Sequence, residues 1–140
     1  MRETIDRLVG AWTRVPTGDG DDDTVFHATY TDPVVLNGDE VRVADLVARY
    51  RSLHAAFADI RIDVLDAREA DGTLAVVLRQ RGRHVGPFPV PTGALAATGR
   101  EFDVLGIDVL TVAGGRVSRI WVVADELGRL TQLGALGTPD

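Results

Sequence analysis

Apolar residues recur along this chain with two different periods, and the point where one gives way to the other divides it. Ile5, Leu8, Val9 and Trp12 stand three or four apart, the spacing of one helical face, so the chain opens with an amphipathic helix that breaks at residues 16–20. A short second helix is predicted over about residues 24–30. Asp21, Asp22 and Asp23 precede it, where a carboxylate caps a free N–H and meets the positive end of the helix dipole, and Asp32-Pro33 ends it. Val43, Leu46, Val47, Tyr50, Leu53, His54 and Phe57 then mark one face of a longer helix over about residues 43–57.

Beyond Phe57 the period falls to two. Ile60, Ile62 and Val64 alternate with Arg61 and Asp63, the pattern of a half-buried strand. Asp71-Gly72 is a hairpin signal, and a second strand follows over residues 74–85. A loop rich in proline and glycine spans residues 86–99; its length predicts a lid over, or a narrowing of, any pocket nearby. Two more strands, residues 100–112 and 116–124, meet at Ala113-Gly114-Gly115. A short helix over residues 126–133, with Asp125 as its N-cap, closes the pattern. Helices followed by consecutive antiparallel strands make an α+β domain, and covering one sheet face with the long helix curls the strands around it. A hollow between helix and sheet is a usual home for a small apolar ligand.

The alternation also sorts each strand into two faces. On residues 100–112 one face carries Phe102, Val104, Gly106, Asp108, Leu110 and Val112, so Asp108 is the one charge in an apolar row, with room beside it at Gly106. On residues 74–85, Leu74, Val76, Leu78, Gln80 and His84 share the inward face, while Arg79, Arg81 and Arg83 form a solvated stripe on the other. On residues 116–124 both faces are largely apolar, and the pattern does not choose between them. A carboxylate in an apolar hollow loses hydration, which raises its pKa towards the range where it exchanges a proton at neutral pH. Asp108 is therefore the candidate acid or base; the alternative is a strand-end carboxylate bonded to a backbone group or to His84. His84 is a candidate to orient a carbonyl or share a proton with Asp108, or else a structural histidine at the strand exit. His54 is expected in the core or lining the cavity, and His27 at the surface.

Composition removes other classes. At 140 residues the chain is one domain, with the 45% apolar and 26% charged residues of an ordinary globular protein. It has no cysteine, so thiolate chemistry and disulfides are excluded; a cytoplasmic location fits. A formal charge of −6 opposes nucleic-acid binding, which needs a positive surface. No apolar run reaches the ~20 residues of a membrane span. Three histidines far apart match no metal-ligand spacing, and no metal is expected. Asp19, Asp21 and Asp23 lack the glycine and the closing glutamate of a calcium loop.

The second half of the chain resembles a known family. Arg81-Gly82-Arg83-His84-Val85-Gly86 resembles the "GxHxG" segment of SnoaL-like polyketide cyclases, and Thr98-Gly99-Arg100 their "PTGR" turn. Gly114-Gly115-Arg116-Val117 is similar to their "DGKI" hairpin, and Trp121 to Asp125 with Gln132-Leu133-Gly134 to their "W…D…QLG" ending. The resemblance implies a cone-shaped fold shared with nuclear transport factor 2 and ketosteroid isomerase, of the cystatin-like kind. It also implies a homodimer and cofactor-free chemistry on a hydrophobic polyketide-like or terpenoid-like intermediate: ring closure, isomerisation, dehydration or epoxide opening. In the aldol cyclases the base is an aspartate at the position of Val122, a histidine aligns with Asp108, and a glutamine with Gly106; an asparagine of the pocket matches Asn37. The expected site is thus Asp108 and His84 as catalytic residues, with Asn37, Tyr50, His54, Gln80, Gly106, Ile120 and Val122 around the substrate. The absence of the usual aspartate at Val122 leaves two rivals, a protein that binds a hydrophobic molecule without changing it, and an interaction module pairing through its convex sheet face.

Overall fold

In the computed structural model, which describes residues 1–136, four helices cover one face of a curved six-stranded sheet. The order is α1 (Arg2–Thr13), α2 (Gly20–Thr29), β1 (Tyr30–Leu36), β2 (Asp39–Val41), α3 (Val43–Ala56), β3 (Phe57–Ala70), β4 (Thr73–His84), β5 (Phe88–Val90), β6 (Gly93–Leu95), β7 (Glu101–Ala113), β8 (Arg116–Ala124) and α4 (Glu126–Gln132). The sheet runs β2-β1-β8-β7-β4-β3. All its neighbours are antiparallel except β1 and β8, which pair in parallel with Leu36 beside Ile120. Among the described residues no helix is long and apolar enough to cross a membrane.

The expected helices and long strands form, with two differences. The second helix begins at Gly20 and is capped by Asp19, whose side chain accepts the Asp21 N–H. Asp22 therefore lies inside the helix, fully buried, and does not serve as a cap. The stretch after Tyr30, which the periodicity leaves unassigned, is the hairpin β1–β2. Its turn is Asn37-Gly38, both at positive φ (51° and 90°), the backbone a two-residue hairpin turn requires and which Asn-Gly supplies.

Bulges bend the sheet. In β8, Ser118 is the extra residue, because Val117 faces Val112 while Arg119 faces Thr111. The bulge lets Val117 and Ile120, three apart, both point inward, and puts Val122 on the inner face as well. β3 carries irregularities at residues 58–61 and 64–66; Val64 between them keeps the alternation and pairs with Leu78, but on this edge strand it is exposed although alternation predicts it inside. β7 alternates without a break, so Phe102, Val104, Gly106, Asp108 and Leu110 are all buried.

Two apolar clusters fill the concave side. The larger joins α1, α2 and α3 to the sheet, with Trp12, Phe26 and Tyr50 in edge or tilted ring contacts at 4.9–6.1 Å. Such pairs add about 0.5–1.5 kcal/mol each beyond the area they bury. The smaller centres on Phe57 and Phe102, 4.9 Å apart, with Leu133 after α4. The segment at residues 86–99 packs onto this second cluster as the hairpin β5–β6, with the Phe88 ring 5.0 Å from Phe57.

Candidate active site

Between the two clusters lies a cavity of about 320 Å³. α1 contributes Leu8, Val9 and Trp12; α3 contributes Leu46, Arg49 and Leu53 at three- and four-residue spacing; β3, β4, β7 and β8 supply the floor. Most of this lining is hydrocarbon. Polar groups enter at a few points: Asp108, Tyr30, Asn37, Gln80, Arg49 and Arg129.

Asp108 is 6% exposed and lines the cavity. Its cross-strand neighbours are Val76 on β4 and Val122 on β8, both apolar. Its Oδ1 is buried without a hydrogen-bond partner among the described residues. Loss of hydration is not offset by any donor, and burial pushes the carboxyl up from 3.8 to about 6. The group is therefore ionised at neutral pH yet basic enough to take a proton from carbon acids that an ordinary aspartate leaves alone.

The residue directly opposite, Val122, for which the resemblance implies an aspartate in the aldol cyclases, also lines the cavity. Cross-strand neighbours have Cβ atoms about 4.5–5.5 Å apart, so the carboxylate at 108 is displaced by a single strand and still faces the same hollow. Gln80 lies on the next strand, diagonal to Gly106, whose direct partner is Leu78. A Cβ at Gly106 would stand 3.0 Å from Gln80 Nε2, so the space left by the glycine is taken by the glutamine of the next strand. Gln80 Oε1 in turn accepts from Arg129 Nη2 at 2.8 Å, and Arg129, also held by Glu126 at 2.7 Å, lies 4.7 Å over the Phe102 ring. This group closes the end of the cavity under α4.

Asn37 lines the cavity at the β1–β2 turn. Its Oδ1 accepts the Val122 N–H at 2.8 Å, and its own N–H donates to Ile120 O at 3.0 Å, so it fastens the hairpin to β8 and leaves the amide NH₂ as its donor. Ile120 and Val122 line the floor beside it.

Four expected site residues lie elsewhere. His84 is fully buried but outside the cavity: its Nδ1 accepts the Thr98 N–H at 3.2 Å and meets Thr98 Oγ1 at 3.0 Å, holding the return of the 86–99 segment. Its place at the strand exit puts it against Phe57, away from Asp108. Tyr50 points towards the α1–α2 junction, donating to the Arg14 carbonyl. His54 Nε2 donates to the Trp12 carbonyl at 2.7 Å. Gly106 makes room without lining the cavity. The 86–99 segment also contributes nothing to the lining, so it neither lids nor narrows this pocket. Conversely, Trp12, Tyr30, Arg49 and Arg129 were not among the expected site residues. Trp12 was legible only as the last member of a helical apolar face, and Tyr30 only as a helix end.

A family model for SnoaL-like polyketide cyclase matches residues 7–133. Among solved structures, TsrD from Streptomyces laurentii is similar over 96% of this chain and 95% of its own, with TM-score 0.80 and 21% identity. AclR from Streptomyces galilaeus, described as a proposed hydroxylase, is similar over 99% and 83%, with TM-score 0.79 and 21% identity. IdmH from Streptomyces antibioticus, described as a proposed polyketide cyclase, covers 95% and 97%, with TM-score 0.75 and 21% identity. Among curated proteins, none matches the sequence.

Proposed function

The chain belongs to the SnoaL-like polyketide cyclase family, and from that premise we propose that it catalyses a proton-transfer reaction, ring closure or isomerisation, on a hydrophobic polyketide-like or terpenoid-like intermediate. Asp108 is the general base. The observation that carries this reading is a buried carboxylate facing an apolar hollow with one oxygen left unpartnered. A structural carboxylate in such a place is normally hydrogen-bonded, because an unpaired buried polar group costs about 1–3 kcal/mol or more. The base needs no cofactor to act. Holding a flexible substrate folded supplies further rate, since well-oriented intramolecular reactions gain about 7–11 kcal/mol.

The test is incubation with polyketide-derived intermediates and mass spectrometry of the products. The parent is expected to form a new product, and Asp108→Asn to lower turnover by about 10²–10⁴-fold with the ligand still bound. Unchanged turnover in Asp108→Asn would remove Asp108 from the chemistry. The valine at position 122 supports a second reading, in which the pocket only binds its hydrophobic ligand; recovery of every bound candidate unaltered would favour it.

The proposal extends to a cytoplasmic homodimer. On the convex face Ile107, Trp121 and Val123 are about half or more exposed and adjoin one another across β7 and β8, a patch suited to a second copy. Sedimentation at micromolar concentration should give a dimer that Trp121→Glu converts to monomer; a monomeric parent would rule this out.

A further inference from the structure

The first residue of β1 brings a second reactive group to the cavity. Tyr30 is 2% exposed and lines the hollow together with Asp108. Its hydroxyl oxygen accepts the Trp12 indole N–H at 2.7 Å. An indole N–H only donates, so this contact occupies a lone pair of the tyrosine oxygen and leaves the hydroxyl proton to be given elsewhere. Among the described residues no hydrogen bond takes that proton. Trp12 is itself fixed: its ring lies edge-on to Phe26 at 5.3 Å and Tyr50 at 6.1 Å, and its carbonyl accepts from His54 Nε2 at 2.7 Å. Burial, with the Asp108 charge nearby, keeps the Tyr30 hydroxyl protonated well above neutral pH, so it is a donor throughout the working range.

We infer that Tyr30 is a catalytic residue that donates its hydroxyl proton in a hydrogen bond to the substrate oxygen on which negative charge develops, and that Trp12 positions it. This rests on the proposed base role of Asp108, and it narrows the substrate class to hydrophobic molecules with an acidic C–H next to a ketone or ester carbonyl. Asp108 removes that proton; the C–H electron pair moves into the adjoining C–C bond, and the carbonyl π pair moves onto the oxygen held by Tyr30. The enolate carbon then bonds to an electrophilic carbon of the same molecule, whose oxygen receives the proton from Asp108, or the proton returns at another carbon and the molecule is isomerised. An ionised carboxylate only accepts hydrogen bonds, whereas the oriented hydroxyl donates, so the two groups supply complementary halves of an enolisation.

The test uses substituted 2-naphthols, whose oxygen imitates an enolate, with binding read by their fluorescence. In Asp108→Asn, where the competing negative charge is gone, affinity should rise with naphthol acidity. Adding Tyr30→Phe should weaken binding by at least about tenfold, the worth of a hydrogen bond to a charged group, and flatten the dependence on acidity. Trp12→Phe should make the dependence shallower without abolishing it. Fluorotyrosine at position 30, a stronger donor that keeps the shape, should tighten binding, and serves if the phenylalanine variant folds poorly. In turnover, Tyr30→Phe should lower kcat by about 10²–10³-fold, the cost of one oxyanion donor. Unchanged naphthol affinity and slope in both Tyr30 variants would overturn the inference while leaving Asp108 as base. An intact slope with full turnover in Asp108→Asn would do the reverse.

Discussion

Among the described residues two aspartates are buried, and they sit in opposite electrostatic worlds. Asp22, in α2, is completely buried and surrounded by donors: Arg14 at 2.9 Å, Arg51 at 3.0 Å, and the N–H groups of Thr17 at 3.1 Å and Gly18 at 2.9 Å. Burial alone would raise its pKa, but these bonds outweigh it and hold the carboxyl well below the usual range. Asp108 has burial without the donors and moves the other way, to about 6. The same side chain is a structural tie in one place and a poised base in the other. What distinguishes them is the set of partners, which the degree of burial does not reveal.

The comparison can be broken most severely at Asp108. Asp108→Asn should cost about 10²–10⁴-fold in turnover, whereas Asp22→Asn should leave the rate of the folded fraction near that of the parent, both read by product formation per folded enzyme.

Stability should separate them next, with opposite signs. The Asp108 carboxyl binds its proton more tightly folded than unfolded, so it weakens the fold as pH rises from about 4 to about 6. A rise from 3.8 to about 6 corresponds to about 3 kcal/mol of lost stability above that window. Asp108→Asn should therefore be more stable than the parent at pH 7, by up to about 3 kcal/mol, with the gain vanishing below pH 4. Urea unfolding across pH measures this. A gain of that sign in a variant that has lost activity marks a residue kept for function at the expense of stability.

Asp22 should behave in reverse. Its stabilisation is present above the unfolded pKa near 4 and is lost as pH falls towards its depressed folded value. Asp22→Asn should lower the melting temperature at pH 7, by leaving Arg14 and Arg51 without their anion, and should flatten the acid side of the stability profile. The smallest change is expected from Val122→Asp, which places a second carboxylate directly opposite Asp108. Two acids across one strand pair cannot both ionise freely, so the acid limb of the pH–rate profile should move above 6. A limb that stays in place would show that the two side chains diverge.

Much of this was legible in the chain. The unbroken alternation of β7 named Asp108 as the charge on an apolar face, and the same reading placed Gln80 on the inner face of β4. It also put Arg79, Arg81 and Arg83 outside, where each pairs with an aspartate of an adjoining strand: Asp103, Asp63 and Asp59. Other features were written less openly. Asn37-Gly38 is a strong hairpin signal that passed unread because β1 and β2 are short and interrupted by Pro33. The inner face of β8 was undecidable, since the bulge at Ser118 shifts the alternation in mid-strand and both faces are apolar. His84 and Asp108 share an inward face in the pattern, yet they lie far apart along paired strands, with His84 beyond the end of the cavity.

The sequence by itself determined the period of each segment, and through it which side chains share a face, because helical and strand backbones repeat every 3.6 and 2 residues wherever they occur. Only the tertiary structure decided which of those faces met. The parallel pairing of β1 with β8, the placing of Tyr30 against Trp12 and beside Asp108, and the surrounding of Asp22 by cations from two other segments all join residues distant in the chain. Partners of that kind are set by how elements pack, and a carboxylate's pKa follows its partners; no local pattern carries that information.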